Sequence, residues 1–297
     1  MRGKAYTMEI GPQYNKDSPF KAAARLHQSN YRATVLKVDY LEYGNRLTEH
    51  DGRALLNYYD GLGVKEALRK RYPHYSQKRD ADLLRSEHIP FNMLAPLVHK
   101  PALMKKVLSE VFGLKLIDPI ELKLEWAPFP ADKYLGDLTS FDTYICGRNQ
   151  NGERIGLGIE VKYTERGYRI GASEAKRVQD SNSSYWIVTR ESGVFSSNSH
   201  EELASDNLRQ IWRNHLLGLS MVKNNDIDKF ISATLYPAGN DHFQHALSDY
   251  QNHLQASARR DVLGCTFEQY ISSLSGDSEI EDWKEYLSTR YLFEMPA

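Results

Sequence analysis

Residues 156–163, GLGIEVKY, constrain this chain more than any other stretch, because they set a carboxylate and an ammonium two residues apart in what otherwise reads as a buried β-strand. Side chains alternate along a strand, so Leu157, Ile159, Val161 and Tyr163 point one way while Gly158, Glu160 and Lys162 point the other. The apolar set can enter a core. The opposite set is two charges among glycines too small to screen them, which suits a face approached by a metal ion, water and a bulky substrate.

A hard divalent cation prefers several oxygen ligands, so one carboxylate is not enough and a second is expected upstream. Asp142 is the best candidate. It lies in residues 140–146, SFDTYIC, whose aromatic and β-branched residues read as another strand. Between the two strands runs GRNQNG at 147–152, with Asn151-Gly152 the strongest local turn signal. The resulting antiparallel hairpin brings Asp142 back alongside Glu160. Asp137, in LGDL at 135–138, is the competing first acid, but its flanks read less clearly as strand.

Two flanking segments add polar groups. Residues 83–97 read as helical sequence entering a core and carry Glu87. Residues 206–217 are amphipathic: Leu208, Ile211, Trp212, His215, Leu219 and Val222 share one stripe, with Gln210, Arg213 and Asn214 on a neighbouring face. Each feature alone is ordinary. Glu160 and Lys162 would serve as a solvent-facing cross-strand ladder, Asp142 as a turn cap, Glu87 as a helix-surface acid, and Gln210 with Asn214 as a polar helix pair. Along the chain they run in the order Glu87, Asp142, Glu160, Lys162, Gln210.

This arrangement resembles the core of the PD-(D/E)XK nuclease superfamily, the restriction-endonuclease-like fold. The phrases SEHIPFN at 86–92 and EVKYTE at 160–165 are similar to those of a bacterial group of restriction-endonuclease-like proteins. One departure is visible, since Phe141 stands where the motif has proline. The resemblance covers roughly residues 80–240. It implies an α/β protein with a restriction-endonuclease-like core: a central mixed β-sheet flanked by helices, with helical amino- and carboxy-terminal additions. It implies Asp142 and Glu160 as ligands of Mg²⁺, for which Mn²⁺ can substitute, with Val161 lending its main-chain carbonyl. Lys162 would act on the attacking water, Gln210 would reach the site from the helix after the core strands, and Glu87 would stand on a helix before the sheet and bind a second ion.

The implied activity is metal-dependent hydrolysis of DNA phosphodiester bonds, in a restriction or defence role, and a homodimer is left open. The alternative is a nuclease-like fold without catalysis that serves as a DNA-binding or interaction module. A glycosidase fits less well, since it needs two carboxyls flanking a sugar rather than a lysine beside the acid.

Composition adds bounds rather than direction. With 297 residues and 41% hydrophobic content the chain can bury a sizeable core. A net charge of −1 shows no global basic excess for nucleic acid. Local cations exist: Lys65, Arg69, Lys70, Arg71, Lys78 and Arg79 cluster with Tyr72, His74 and Tyr75, and Arg166, Arg169, Lys176 and Arg177 follow the E-X-K strand. Both groups are candidates for backbone phosphates, and the first reads equally as a solvated helix and loop face. Two cysteines without CxxC spacing argue against a disulfide framework or structural zinc, and His242, His245 and His253 have no adjacent carboxylate pattern. No apolar run reaches membrane length and Met1-Arg2-Gly3-Lys4 is not followed by a secretory segment, so a cytoplasmic protein without a membrane partner is expected.

The expected organisation is a mostly helical extension at 1–79, the nuclease-like core at 80–240, and a carboxy-terminal helical extension at 241–297 packed on the core. Residues 1–17 read as irregular, and Ser18-Pro19 opens a helix. Further helices are predicted at 62–71, 78–97 with a break near Pro90, 101–112, 201–222 and 279–293. Strands are predicted at 119–126, 139–147, 154–164, 184–190 and 229–236, and helices elsewhere after that.

Overall fold

The computed structural model describes residues 8–167, 170–196 and 200–295. The chain divides into two compact units, residues 1–100 with 274–297, and residues 101–273.

The first unit opens with α1 (Pro19–Tyr31), where Ser18 is extended at the N-cap position and proline occupies the first turn, as the sequence predicts. The helix runs on into a π-helical turn at Arg32–Leu36. A short antiparallel pair follows, β1 (Tyr40–Leu41) and β2 (Tyr43–Leu47), then α2 (Glu49–Arg53), α3 (Val64–Arg71), α4 (Gln77–Ala81) and α5 (Ile89–Met93). The last helix of the chain, Ser278–Tyr291, completes this unit. Asn92 ties the pieces together. It accepts from the Tyr59 amide at 2.9 Å and donates to the Asn57 carbonyl at 3.0 Å and to Tyr291 Oη at 2.8 Å, while Trp283 Nε1 donates to its carbonyl at 2.8 Å. These bonds explain why residues 80–100 belong with the amino-terminal residues and not with a core beginning at 80. The predicted helix at 78–97 is also replaced by α4, α5 and two 3₁₀ turns at Ser86–His88 and Ala95–His99. Pro90 and Pro96 lack the donors a continuous helix needs.

The second unit contains a five-stranded mixed sheet. It comprises α6 (Pro101–Phe112), β3 (Leu116–Trp126), β4 (Phe141–Asn149), β5 (Arg154–Val161), α7 (Ala172–Gln179), α8 (Ser184–Glu191), α9 (His200–Leu203), α10 (Arg209–Lys223), β6 (Lys229–Tyr236), α11 (Asp241–Asn252), β7 (Val262–Thr266) and α12 (Phe267–Ser273). The strand order is β3-β4-β5-β6-β7, antiparallel from β3 to β5 and parallel from β5 to β7. The β4–β5 hairpin turns where expected. Asn149 Oδ1 accepts the Asn151 and Glu153 amides at 2.9 and 3.0 Å, and Gly152 takes the left-handed backbone that the turn requires, with φ +83°. Helices occupy the crossover from β5 to β6, as parallel strands demand, and α11 lies in the crossover from β6 to β7. Residues 241–273 add a strand, β7, and two helices, α11 and α12, to this unit.

Three local readings change. The aromatic and β-branched run at 184–190 is the helix α8, not a strand. Its Tyr185 and Trp186 close on Trp212 of α10, with ring centroids at 5.5 and 4.6 Å, and Trp212 Nε1 donates to Thr189 Oγ1 at 3.1 Å. Packing at helical spacing overrides strand propensity there. The predicted helix at 201–222 breaks between α9 and α10, where Arg209 turns back to bond the Ala204 carbonyl at 3.1 Å and Asp206 at 2.7 Å. Strand β7 stands where helix is predicted, because Gly264 interrupts its short run; a side chain there would meet Leu247 at 2.9 Å.

Candidate active site

The two faces of β5 divide as the alternation requires. Leu157, Ile159, Val161 and Tyr163 are fully buried. On the opposite face the glycines do not open a path for substrate as expected. A Cβ on Gly158 would lie 2.6 Å from the Phe141 ring and 2.8 Å from Phe230, and one on Gly156 would lie 2.8 Å from Tyr144 Oη. Their missing side chains make room for aromatic rings, which wall the site from below.

At the end of this face the charges converge. Thr143 pairs with Ile159 at the end of the ladder, so Asp142 and Glu160, one step further on, stand on one side. Asp142 accepts the Val161 amide through Oδ2 at 2.7 Å. Lys162 Nζ donates to Glu160 Oε1 at 2.6 Å, with the two side chains only 8% and 12% exposed. Helix α10 completes the shell: Gln210 Nε2 donates to Glu160 Oε1, and Asn214 Nδ2 donates to Glu160 Oε2 at 2.5 Å. Asp142, Glu160, Lys162 and Gln210 are thus brought together within one unit. Glu87 is in the other unit, where its exposed carboxylate meets Arg85 at 2.9 Å.

Asp137 is committed elsewhere. One of its oxygens accepts the Thr139 amide at 2.9 Å and the other accepts the Tyr185 hydroxyl. Burial raises its carboxyl, but these hydrogen bonds and Arg213 outweigh that effect and hold its pKa below the usual value.

Asp142 behaves in the opposite way. Burial, then the Glu160 charge, then that of Glu125, push its carboxyl well above the usual carboxylate range, against the pull of Lys162 and the Val161 amide. Burial also pulls on the Lys162 ammonium, downward, yet Glu160, Asp142 and Glu165 together overcome it and its pKa is raised. Lys162 is a stable cation. With Glu125 also acting on Asp142, the one ammonium does not balance the acids around it, and a bound cation would relieve the repulsion that raises the Asp142 carboxyl.

The donor set fits a hard cation: carboxylate oxygens of Asp142 and Glu160, with the Val161 carbonyl on the strand between Glu160 and Lys162. Among the described residues no three His, Cys, Asp or Glu side chains converge as a metal site. An ion here would complete its shell with backbone carbonyl, water and substrate oxygens.

Several supporting groups escaped the sequence reading. Asn214, one turn beyond Gln210, was legible as a neighbour but not as a ligand of Glu160. Glu125 lies on β3 between residues paired with Thr143 and Phe141, hence across from Asp142, in a left-handed conformation with φ +49°. Beyond Lys162 the chain is fixed by Glu165, whose Oε2 accepts the Tyr163 and Thr164 amides at 2.8 and 3.1 Å, and by Asn240, which donates to the Tyr163 carbonyl at 2.9 Å. Of the cations after the strand, Arg166 and Lys176 are exposed, and Arg177 donates to the Leu135 carbonyl at 3.1 Å and to that of Gly136. Arg169 lies outside the described residues.

The PD-(D/E)XK nuclease superfamily matches residues 15–293, and the chain belongs to that superfamily. The match reaches well beyond residues 80–240 and takes in both units. No curated protein and no solved structure matches the chain. Membership supports a nuclease acting on the phosphodiester bonds of nucleic acid, in a superfamily that typically uses divalent metal ions. Among the described residues no helix is long and apolar enough to cross a membrane.

Proposed function

We propose that the chain is a Mg²⁺-dependent endodeoxyribonuclease of the restriction or defence type, in which Mn²⁺ can replace Mg²⁺. Asp142, Glu160 and the Val161 carbonyl would hold the ion. The observation that carries the reading is the convergence of Lys162, Gln210 and Asn214 on Glu160 beside a second, electrostatically stressed carboxylate. A bound divalent ion would supply positive charge at the phosphate oxygens, where hydrolysis of an anionic diester needs it most.

The chain's own residues do the rest. The Val161 amide orients Asp142, while Gln210 and Asn214 fix the two oxygens of Glu160. Lys162, held protonated by its acidic neighbours, is a donor able to position water or a phosphate oxygen in a site of low dielectric. Glu87 is retained as the candidate ligand of a second ion. A dependence of turnover on Mg²⁺ concentration that flattens in Glu87→Gln would support it, and an unchanged dependence would remove it.

The test uses the purified full chain on supercoiled plasmid, duplex and single-stranded DNA, and RNA. Nicking or cutting of DNA is expected with Mg²⁺ or Mn²⁺ and not with EDTA. Lys162→Ala and Glu160→Ala should each lower the rate by roughly a hundredfold or more while circular dichroism stays native. Metal-dependent cutting that survives both substitutions would remove this site. DNA binding without turnover under any metal would favour the non-catalytic module, and RNA cleavage alone would move the substrate class.

A further inference from the structure

We propose that the first unit carries a phosphate-binding pocket, built around Arg53 and Arg69, that takes the phosphate of a nucleotide or of a nucleic acid strand. The pocket has a volume of about 220 Å³ and lies among α2, the last turn of α3, the segment 72–75 and α4. It rests on its own residues and goes beyond the nuclease reading.

Its floor is apolar, from the buried Leu55 and Leu68. Its one lining carboxylate, Asp80, is already saturated. Tyr58 Oη, the Ser76 amide and Arg79 Nε each donate to it at 2.7 Å, and Arg79 Nη2 donates at 2.8 Å. Asp80 therefore cancels Arg79 and locks that guanidinium over the Tyr72 ring, 4.2 Å from its centroid. The other two guanidiniums are differently placed. Arg69 makes no hydrogen bond or ion pair among the described residues. Arg53 lies 4.5 Å over the Tyr75 ring and meets Glu49, but those side chains are 59% and 63% exposed, and such a pair is easily exchanged.

Two guanidiniums from different helices thus line one pocket with Tyr72 and Tyr75, and each carries the paired N–H donors that phosphoryl oxygens accept. A solvated helix face would explain Lys70 and Arg71, which complement the carboxy-terminal end of α3. It does not explain why Arg53, from a different helix, lines the same pocket as Arg69.

The experiment measures fluorescence anisotropy of a labelled single-stranded oligodeoxynucleotide with the full chain in EDTA. The Lys162→Ala background is used in parallel, so that cutting of the labelled strand cannot imitate loss of binding. Arg53→Ala/Arg69→Ala should weaken binding by about tenfold or more and lower the slope of log K against log salt by about 1.4. Arg53→Lys/Arg69→Lys should restore the salt slope, because the charges return, but only part of the affinity, because lysine lacks the paired donors. Lys115→Ala/Arg190→Ala, which removes two exposed cations of the second unit, should stay within about twofold of the parent. Displacement of the oligonucleotide by millimolar AMP would assign the pocket to a free phosphate monoester, and displacement by unlabelled strand alone to the backbone diester. Equal losses in the alanine pair and the control pair would overturn the proposal, as would a parent chain that binds neither probe.

Discussion

Asp142 and Glu160 sit side by side yet have opposite relations to stability, and this difference provides a test independent of turnover. Glu160 is satisfied by three donors and balances a buried lysine, so Glu160→Gln leaves Lys162 short of its nearest counter-charge and should lower the thermal midpoint. Asp142 accepts one hydrogen bond among the described residues, from Val161, and is repelled by Glu160 and Glu125. Asn at this position keeps an acceptor for that amide and removes the repulsion. Asp142→Asn should therefore raise the midpoint by a few degrees, corresponding to roughly 1 kcal/mol, while abolishing cleavage. Mg²⁺ binding only to the native state adds stability by mass action. It should raise the parent's midpoint and leave both variants nearly unmoved in a thermal scan with and without MgCl₂. An equal Mg²⁺ shift in the parent and in Asp142→Asn would show that the ion binds elsewhere.

Helix α10 positions the site, and its height over the sheet is set by Gly218. A Cβ there would lie 2.1 Å from Phe230, whose ring is hemmed in by Phe141 at 5.5 Å and His215 at 6.2 Å. Alanine gains about 1 kcal/mol of helix propensity over glycine, but an overlap this deep pushes the helix off the strand, and overpacking costs about 1–3 kcal/mol. The upper end should win. Gly218→Ala is expected to destabilise by roughly 2 kcal/mol net in urea melts and to slow cleavage by moving Gln210 and Asn214. A stable variant of full activity would show that the ring yields and that α10 is not held at this distance. The apolar stripe of α10 was legible in the sequence because packing and periodicity agree, and the same holds for the β4–β5 hairpin and β6, whose alternating or continuous apolar runs enter one core. Helix α8 was not legible, since its Tyr, Trp, Ile and Val carry strand propensity and only Trp212, far along the chain, makes them helical. The site divides likewise. Strand alternation and the hairpin made Asp142, Glu160 and Lys162 candidates, and the resemblance to the family made Gln210 one, whereas Glu125 depends on a left-handed residue in β3 and Asn240 on a contact from beyond β6, neither of which leaves a local pattern.

The superfamily match spans both units, yet each unit carries its own buried neutral histidine, so acid should weaken both. In the second unit His215 is enclosed by Phe195, Phe230 and Tyr250, with Nδ1 3.0 Å from the Tyr250 hydroxyl, and burial lowers its pKa to about 3. In the first unit burial, followed by repulsion from Arg290 and Arg85, holds His88 well below its usual value, and neither of its ring nitrogens has a hydrogen-bond partner among the described residues. A histidine whose folded pKa is depressed binds its proton more readily in the unfolded chain. Stability is therefore complete above the unfolded value of about 6.5 and falls as pH drops from there toward the folded value. For His215 the window runs from about 6.5 down to about 3, and the loss between pH 7 and pH 5 is about 2 kcal/mol. Denaturant melts across that range should show it, read at Trp212 for the second unit and at Trp283 for the first, each in a background where the other tryptophans are replaced by phenylalanine. His215→Gln should flatten the pH dependence at Trp212 and leave that at Trp283 unchanged, because His88 still titrates there. If Trp212 keeps the parent's slope in His215→Gln, the buried imidazole is not the proton acceptor that makes the nuclease unit sensitive to acid.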